Sequence, residues 1–371
     1  MRSHCDRRVE EVLVVSKGLI RVAILVREPW HEAREQAYRR YFVYGDSGID
    51  GALAGLQVLF AKLEAGGETA NERAFIETYA ANLRSGMAHC SEYILRGDES
   101  QLQSAWTRFY EVLPQLGREL QEARTLQLEQ VSPRLLAARD LEIAVPGTYR
   151  ANSPLVAISS FVPAVRVMSS KQRPRKLSVL GNDGKEYAFL LKGHEDLRQD
   201  ERVMQLFGLV NTLLASSGVS DSRDLSIERY SVVPLSTNSG LIEWVPRCDT
   251  LHTLVRAYRL SRKVLLNIEH RLMLHFSPDL EQLTLMQRVE AFQHVLARTE
   301  GMDFYHVMWM KSPSSEVWLE RRAAFSRSLA VMSMVGYILG LGDRHPSNLM
   351  LHRRSGKILH IDFGDCFEVA M

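Results

Sequence analysis

A change of texture near Val131 limits what this chain can fold into. Before it, from about Glu10 to Leu126, apolar residues recur at the three- and four-residue spacing of helices, and β-branched runs are few. After it, short apolar runs punctuated by Gly, Pro and Asn take over, and a mainly helical region follows. A helical front joined to a strand-and-helix back predicts an α+β chain. Its 371 residues leave room for two or three domains at roughly 150 residues each.

Four helices are predicted in the front. The first covers about 29–44, with Pro29 in its opening turn and Gly45-Asp46-Ser47-Gly48 as its stop. The second, 49–65, sets Leu53, Leu56, Phe60 and Leu63 at helical spacing and is stopped by Gly66-Gly67. A third covers about 70–95 and stops at Gly97; the fourth opens with Asp98 and Gln101 at capping-box spacing and runs through Trp106 and Tyr110 toward Pro114. Short connections between such helices favour an up-down four-helix bundle.

Pro133, Pro146, Gly147 and Pro154 then punctuate a linker. Strands are predicted at 155–158, 164–168, 176–180 and 186–191, the last two joined through the hairpin signal Gly181-Asn182-Asp183-Gly184. A helix at 197–214 carries Val203, Leu206, Phe207, Val210, Leu213 and Leu214 on one face, and strands at 227–235 and 240–244 follow.

Charge and cysteine usage narrow the function classes. Lys and Arg number 46 against 44 Asp and Glu, a net +2 that does not mark nucleic acid or an anionic membrane as the main partner. Cys5, Cys90, Cys248 and Cys366 lie far apart with no CxxC pair, which argues against a disulfide framework or zinc site and for a reducing compartment. Residues 1–8 are basic but lack the apolar core of a secretory signal. The most apolar stretch, 328–342, is shorter than the roughly 20 residues of a membrane helix and reads as a buried one.

Three places could carry chemistry. Arg166, Lys171, Arg173, Arg175 and Lys176 have no acid among them, and with Ser169 and Ser170 they could hold phosphate oxygens. Lys192 ends the apolar run Ala188-Phe189-Leu190-Leu191, with Glu195, Asp196 and Asp200 nearby as acids that could pair with it. The decisive stretch is Gly340-Leu341-Gly342-Asp343-Arg344-His345-Pro346-Ser347-Asn348, followed by His360-Ile361-Asp362-Phe363-Gly364. It gathers two carboxylates, an imidazole and an amide oxygen, the hard oxygen donors and proton acceptor that Mg²⁺-assisted phosphoryl transfer uses.

With those residues in view, the chain resembles the phosphatidylinositol-3-kinase-related protein kinases, which carry D-R-H-x-x-N where ordinary protein kinases carry H-R-D. The resemblance extends over 170–177, 191–214, 234–246 and 328–371, and upstream over 19–25 and 30–32. It implies the end of a FAT-type helical region at 1–26, a rapamycin-binding-type four-helix bundle at 27–126, a linker at 127–154 and a bilobal kinase domain at 155–371, with a β-rich N-lobe and a helical C-lobe that is incomplete at the C-terminus. By resemblance, Lys192 contacts ATP phosphates with Asp200 as its partner acid, Asp343 orients or deprotonates the substrate hydroxyl, His345 stabilises transition-state charge, and Asn348 and Asp362 hold Mg²⁺, with Mn²⁺ as a substitute. Trp244 and Val245 match the adenine hinge, with Ser170 of the phosphate loop, and Met168, Pro174, Leu190, Tyr230, Met350, Leu359 and Ile361 as walls. Residues 263–301 resemble an insert that docks a WD-repeat β-propeller subunit within a larger complex scaffold.

The pattern departs in two places. Tyr38, Phe42, Trp106 and Tyr110 mark the drug groove, but Tyr38 stands where the family has serine, Arg34 where it has leucine, Thr107 where it has aspartate and Leu113 where it has phenylalanine. Overlap and a desolvated charge predict weak binding of the rapamycin–immunophilin complex. The chain also stops at Met371, seven residues beyond Gly364, so a fragment with low activity on its own is expected. The function implied is a cytoplasmic ATP-dependent serine/threonine protein kinase of growth and nutrient signalling, with endomembrane association through partners and a nuclear pool as further expectations. The alternatives are a phosphoinositide lipid kinase, against which the acidic Asp365-Cys366-Phe367-Glu368 speaks, and a binding or scaffold module.

Overall fold

The computed structural model describes residues 2–33, 49–170 and 172–366. Arg34, Tyr38, Phe42, Lys171 and all of the first predicted helix from residue 34 onward lie outside them. Contacts divide the chain into two units, Met1–Arg198 with Ser231–Trp244, and Gln199–Tyr230 with Val245–Met371.

The first unit opens with α1 (Arg2–Ala23), and a further helical run is described over 27–33. α2 (Ile49–Glu64), α3 (Ala70–Arg96) and α4 (Glu99–Glu122) complete the helical part. Trp30, Leu56, Phe60, Phe75, Leu83, Leu102, Phe109 and Leu116 form one buried core there, with the Trp30 and Phe60 rings edge-on at 4.9 Å. Thr69 and Glu72 close a capping box at the start of α3, and Gly97 ends it in the left-handed region at φ +69°. Gly86 on α3 lies under the Phe109 ring, where an added Cβ would stand 2.5 Å from Phe109 Cε1. That close approach is what lets α3 and α4 pack tightly.

Two local readings change. Asp98 caps α4 through the Ser100 amide at 2.9 Å, while the Gln101 side-chain oxygen meets His89 Nδ1 at 2.8 Å. Pro114 does not end α4, which continues to Glu122. The buried stripe of Phe109, Val112, Leu116 and Leu120 runs straight past it, and burying that stripe outweighs the one amide bond that proline removes.

The sheet of this unit contains β1 (Thr125–Gln127), β2 (Ile158–Phe161), β3 (Ala164–Val167), β4 (Arg175–Gly181), β5 (Glu186–Gly193), β6 (Val232–Ser236) and β7 (Ser239–Glu243). Its order is β1-β3-β4-β5-β7-β6, with β2 also pairing β4, and every pairing is antiparallel. β1 was not foreseen, and β2 begins at Ile158, where a strand at 155–158 was expected to end. The stretch read as a linker buries Leu128, Val131, Leu135, Leu141 and Val145 in a core shared with Leu19 and Val22 of α1 and Val165, Leu177, Phe189 and Leu191 of the sheet. Its prolines therefore shape a packed segment.

In the second unit, α5 (Arg198–Ser216, whose first residue belongs to the first unit) buries Val203, Met204 and Phe207. β8 (Cys248–Thr250), β9 (Leu349–His352) and β10 (Ile358–His360) form a small antiparallel sheet. Around it stand α6 (Leu251–Ser261), α7 (Ile268–Phe276), α8 (Leu285–Leu296), α9 (Asp303–Met310) and α10 (Ser315–Leu339). Arg259 ties three of these together, bonding Glu269 of α7 and, at 2.7 Å, Asp303 of α9. No helix among the described residues is long and apolar enough to cross a membrane.

Candidate active site

α10 stops at Gly340, which takes φ +56° and lets the chain turn away toward the candidate loop. The loop then folds on itself: Asn348 N donates to His345 O at 2.9 Å, Ile361 N to Asn348 O at 3.1 Å, and Gly342 N to Asp365 O at 2.9 Å. Asp343 and Asp362 both lie in the left-handed region, at φ +51° and +65°. For a residue with a Cβ that conformation costs on the order of 1 kcal/mol, so surrounding bonds must hold it.

Arg344 supplies them. Its Nε donates to Gly342 O at 2.7 Å and Nη1 to Ile361 O at 2.9 Å, while Nη2 bonds Asp362 O. One guanidinium thus staples the Asp343 loop to the Asp362 turn. Its half-burial lowers its pKa against the pull of Asp362 and Asp343, and it remains a cation.

Asn348 is buried, and its Nδ2 donates to Asp343 O at 3.0 Å and Asp343 Oδ2 at 3.1 Å. Those bonds set the amide so that Oδ1 is left as an oxygen donor. Among the described residues neither Asn348 Oδ1 nor the Asp362 carboxylate accepts a side-chain hydrogen bond, so this donor set fits a hard divalent cation. No group of three or more His, Cys, Asp or Glu side chains at metal-ligand spacing occurs among the described residues, and any ion here would keep water or substrate oxygens as ligands. His345 Nε2 stands 3.6 Å from Asp343 Oδ1, and both side chains are about half exposed, open to a substrate.

Behind the loop, Phe363 is fully buried and meets Phe207 of α5 edge-on at 5.4 Å. Gln199 Nε2 donates to Phe363 O at 2.8 Å, and the Phe363 amide points to Asp200 Oδ1 at 3.4 Å. Asp200, read from the sequence as the partner of Lys192, here braces the Asp362-Phe363-Gly364 turn. Tyr230 is buried, and burial followed by the charges of Asp200 and Asp362 drives its hydroxyl pKa upward. Met350 of β9 faces Thr250 on one side and Leu359 on the other.

Of the remaining predicted nucleotide residues, Val245 belongs to the second unit and the others lie in the first. On β5 the buried Phe189 and Leu191 alternate with Leu190 and Lys192, which face the other side of the sheet. Lys192 Nζ bonds Glu195 Oε1 at 3.0 Å, which names a partner among the acids that the sequence left open. Met168 N donates to Pro174 O at 2.9 Å and Ser170 N to Met168 O at 3.0 Å, closing the β3–β4 turn. Trp244 N donates to Ala188 O at 3.0 Å, and Lys176 Nζ lies 3.9 Å over the Trp244 ring. Of the groove residues, Trp106 packs on Phe109 at the edge of the bundle core and Tyr110 is exposed.

With this geometry in place, comparison with known proteins is direct. Residues 186–371 match the family described as Phosphatidylinositol 3- and 4-kinase. The chain belongs to this family. Residues 18–118 match the FKBP12-rapamycin binding domain. Over 371 residues the chain is 59% identical to the Serine/threonine-protein kinase TOR of Oryza sativa subsp. japonica, covering 100% of this chain and 15% of that protein. It is 58% identical to the Arabidopsis thaliana protein of the same name and 50% identical to the Serine/threonine-protein kinase TOR2 of Saccharomyces cerevisiae, again over 100% of this chain and 15% of each. Within the family it therefore groups with the target-of-rapamycin proteins, and it spans about 15% of their length. The solved FAT and kinase domain of CtTel1 shares the fold, with a TM-score of 0.55 and 21% identity over 99% of this chain and 29% of that one. A kinase domain of the phosphatidylinositol 3- and 4-kinase family implies ATP and a divalent metal.

Sequence reasoning passed over Gln199 and Arg344, and held Glu195 only as one of three acids that could pair with Lys192. Arg344 was written into the D-R-H-x-x-N motif itself, but a cation beside two acids gave no hint that it would bond carbonyls instead.

Proposed function

We propose that this chain carries the nucleotide-holding and catalytic loop of an ATP-dependent serine/threonine protein kinase of the target-of-rapamycin type, acting in growth and nutrient signalling within a larger complex. The observation that carries this reading is the locked pair of Asn348 and Asp343, with Asp362 stapled beside them through Arg344. Asp343 would accept the proton of, or orient, the incoming hydroxyl, and His345 would donate to the phosphoryl group as charge builds on it. Lys192, steadied by Glu195, would hold ATP phosphates; Ser170, Pro174, Leu190, Trp244, Val245, Tyr230, Met350 and Ile361 would enclose the nucleotide, and Asp200 would brace the metal-side turn. Asn348 and Asp362 would hold Mg²⁺, which when bound neutralises charge on the phosphates.

Three further expectations belong to this reading. A WD-repeat β-propeller would dock on about 263–301, where Leu265, Phe276, Met286 and Phe292 are exposed apolar side chains on α7, α8 and the turn before α7. The rapamycin–immunophilin complex would bind weakly, because the sequence has Tyr38 where the family has serine and Arg34 where it has leucine. A cytoplasmic setting agrees with Cys90, Cys248 and Cys366 as free thiols.

The test is transfer of the γ-phosphate of ATP to a protein substrate by the protein assembled with its partners. Asp343→Ala is expected to lower kcat by about 100-fold or more with the KM for ATP nearly unchanged. Activity within about twofold of the unaltered protein would overturn the assignment of Asp343.

A further inference from the structure

The bases between 166 and 176 read as a single phosphate-holding cluster, and the fold disperses them. Arg175 is buried against Glu28, and Lys176 lies over Trp244. Arg166 and Arg173 instead line an open cavity of about 600 Å³, where Arg124, just before β1, joins them. Three elements bring these side chains together. Thr125 of β1 pairs with Arg166 of β3, which sets both on one face of the sheet. Val167 N donates to Arg124 O at 2.8 Å and fixes Arg124 at the same strand end. Arg173, at φ +51° in the β3–β4 turn, reaches over to donate from Nη2 to Ala123 O at 3.1 Å.

Among the described residues no carboxylate pairs with Arg124, Arg166 or Arg173, whereas Arg7, Arg8, Arg21, Arg27, Arg84 and Arg175 of this unit each have such a partner. Burial lowers the Arg173 pKa, with the charge of Glu28 pulling it up and that of Arg175 pushing it down. Three like charges around one cavity repel one another, and an anion seated among them would relieve that. Ser169, Ser170 and Thr125 add hydroxyls, and the guanidinium fork matches phosphate oxygens two at a time. The cavity is within the size range of small-ligand sites, and seven of its ten lining residues are polar or basic.

We propose that this cavity is a binding site for an oligophosphate, a small molecule or headgroup bearing two or more phosphate groups, held by Arg124, Arg166 and Arg173. The site goes beyond the nucleotide reading above: Arg124 and Arg166 have no part in that reading, and only Met168 and Ser170 of the cavity wall are shared with it.

The probe is inorganic tripolyphosphate, titrated calorimetrically into the 371-residue chain at low salt, with citrate as the carboxylate control. Arg124 and Arg166 are exposed, so Arg124→Gln and Arg166→Gln leave the core untouched. Each is expected to weaken tripolyphosphate binding about tenfold and the double variant about 100-fold, as befits lost charge-assisted bonds. Lys192→Ala should leave this binding in place, which separates it from the nucleotide phosphates. Phosphatidylcholine vesicles with and without phosphatidylinositol bisphosphate distinguish the sources. Sedimentation with the phosphorylated vesicles, lost in the double variant, assigns the site to a lipid headgroup; tripolyphosphate binding without sedimentation assigns it to a free molecule. Tripolyphosphate binding that the double variant retains, that Lys192→Ala abolishes, or that never appears would overturn the proposal.

Discussion

At the scale of single residues, the candidate site is built from side chains whose partners are backbone atoms. Arg344 bonds three carbonyls, Gln199 two, and Asn348 one carbonyl and one carboxylate. His360 is the contrasting case. It is buried at the end of β10 with neither ring nitrogen hydrogen-bonded, and burial, with the charge of Arg344 adding to it, pushes its pKa down to about 4. An unfolded histidine titrates near 6.5, so between about pH 4 and 6.5 the unfolded chain binds the extra proton. Stability of the surrounding unit therefore rises with pH through that window and is lost as pH falls. Hydrogen exchange of the β10 amides should show a loss on the order of 2 kcal/mol from pH 7 to pH 5, and His360→Leu should flatten it. An equally steep acid loss in His360→Leu would contradict the assignment.

At the scale of elements, periodicity was a good guide wherever a buried stripe was continuous. α2 and α3 fall within a residue or so of their expected bounds because Leu56, Phe60 and Leu63, and Phe75, Tyr79 and Leu83, repeat without interruption. β4 and β5 were legible from their hairpin turn and alternation. β1 was not, because three residues carry no period and its pairing with β3 depends on a stretch nearly forty residues away in sequence. The segment 127–154 read as a linker because prolines are local signals, whereas burial of Val131, Leu135 and Val145 is a tertiary fact. The bundle also carries a functional expectation. Titration of the isolated rapamycin–immunophilin complex against this protein should give an affinity far weaker than nanomolar, and Tyr38→Ser should strengthen it. Nanomolar binding by the unaltered chain would refute this expectation.

At the scale of the molecule, the catalytic motif was readable as residues but not as an arrangement. Asp343, His345, Asn348 and Asp362 were found in the sequence, and the structure gathers the first three in one loop with Asp362 attached through Arg344. The residues around Lys192 left Glu195, Asp196 and Asp200 open as partners and the resemblance named Asp200; Lys192 bonds Glu195, while Asp196 engages Arg198. The central claim is that this chain holds ATP with a divalent ion through Asn348 and Asp362. The direct measurement is binding of a fluorescent ATP analogue with and without Mg²⁺, to the unaltered protein and to Asp362→Ala. The account predicts ATP-competed binding that Mg²⁺ strengthens by about tenfold or more, with that strengthening lost in Asp362→Ala. Binding that is indifferent to Mg²⁺, or equally Mg²⁺-dependent in Asp362→Ala, would contradict it.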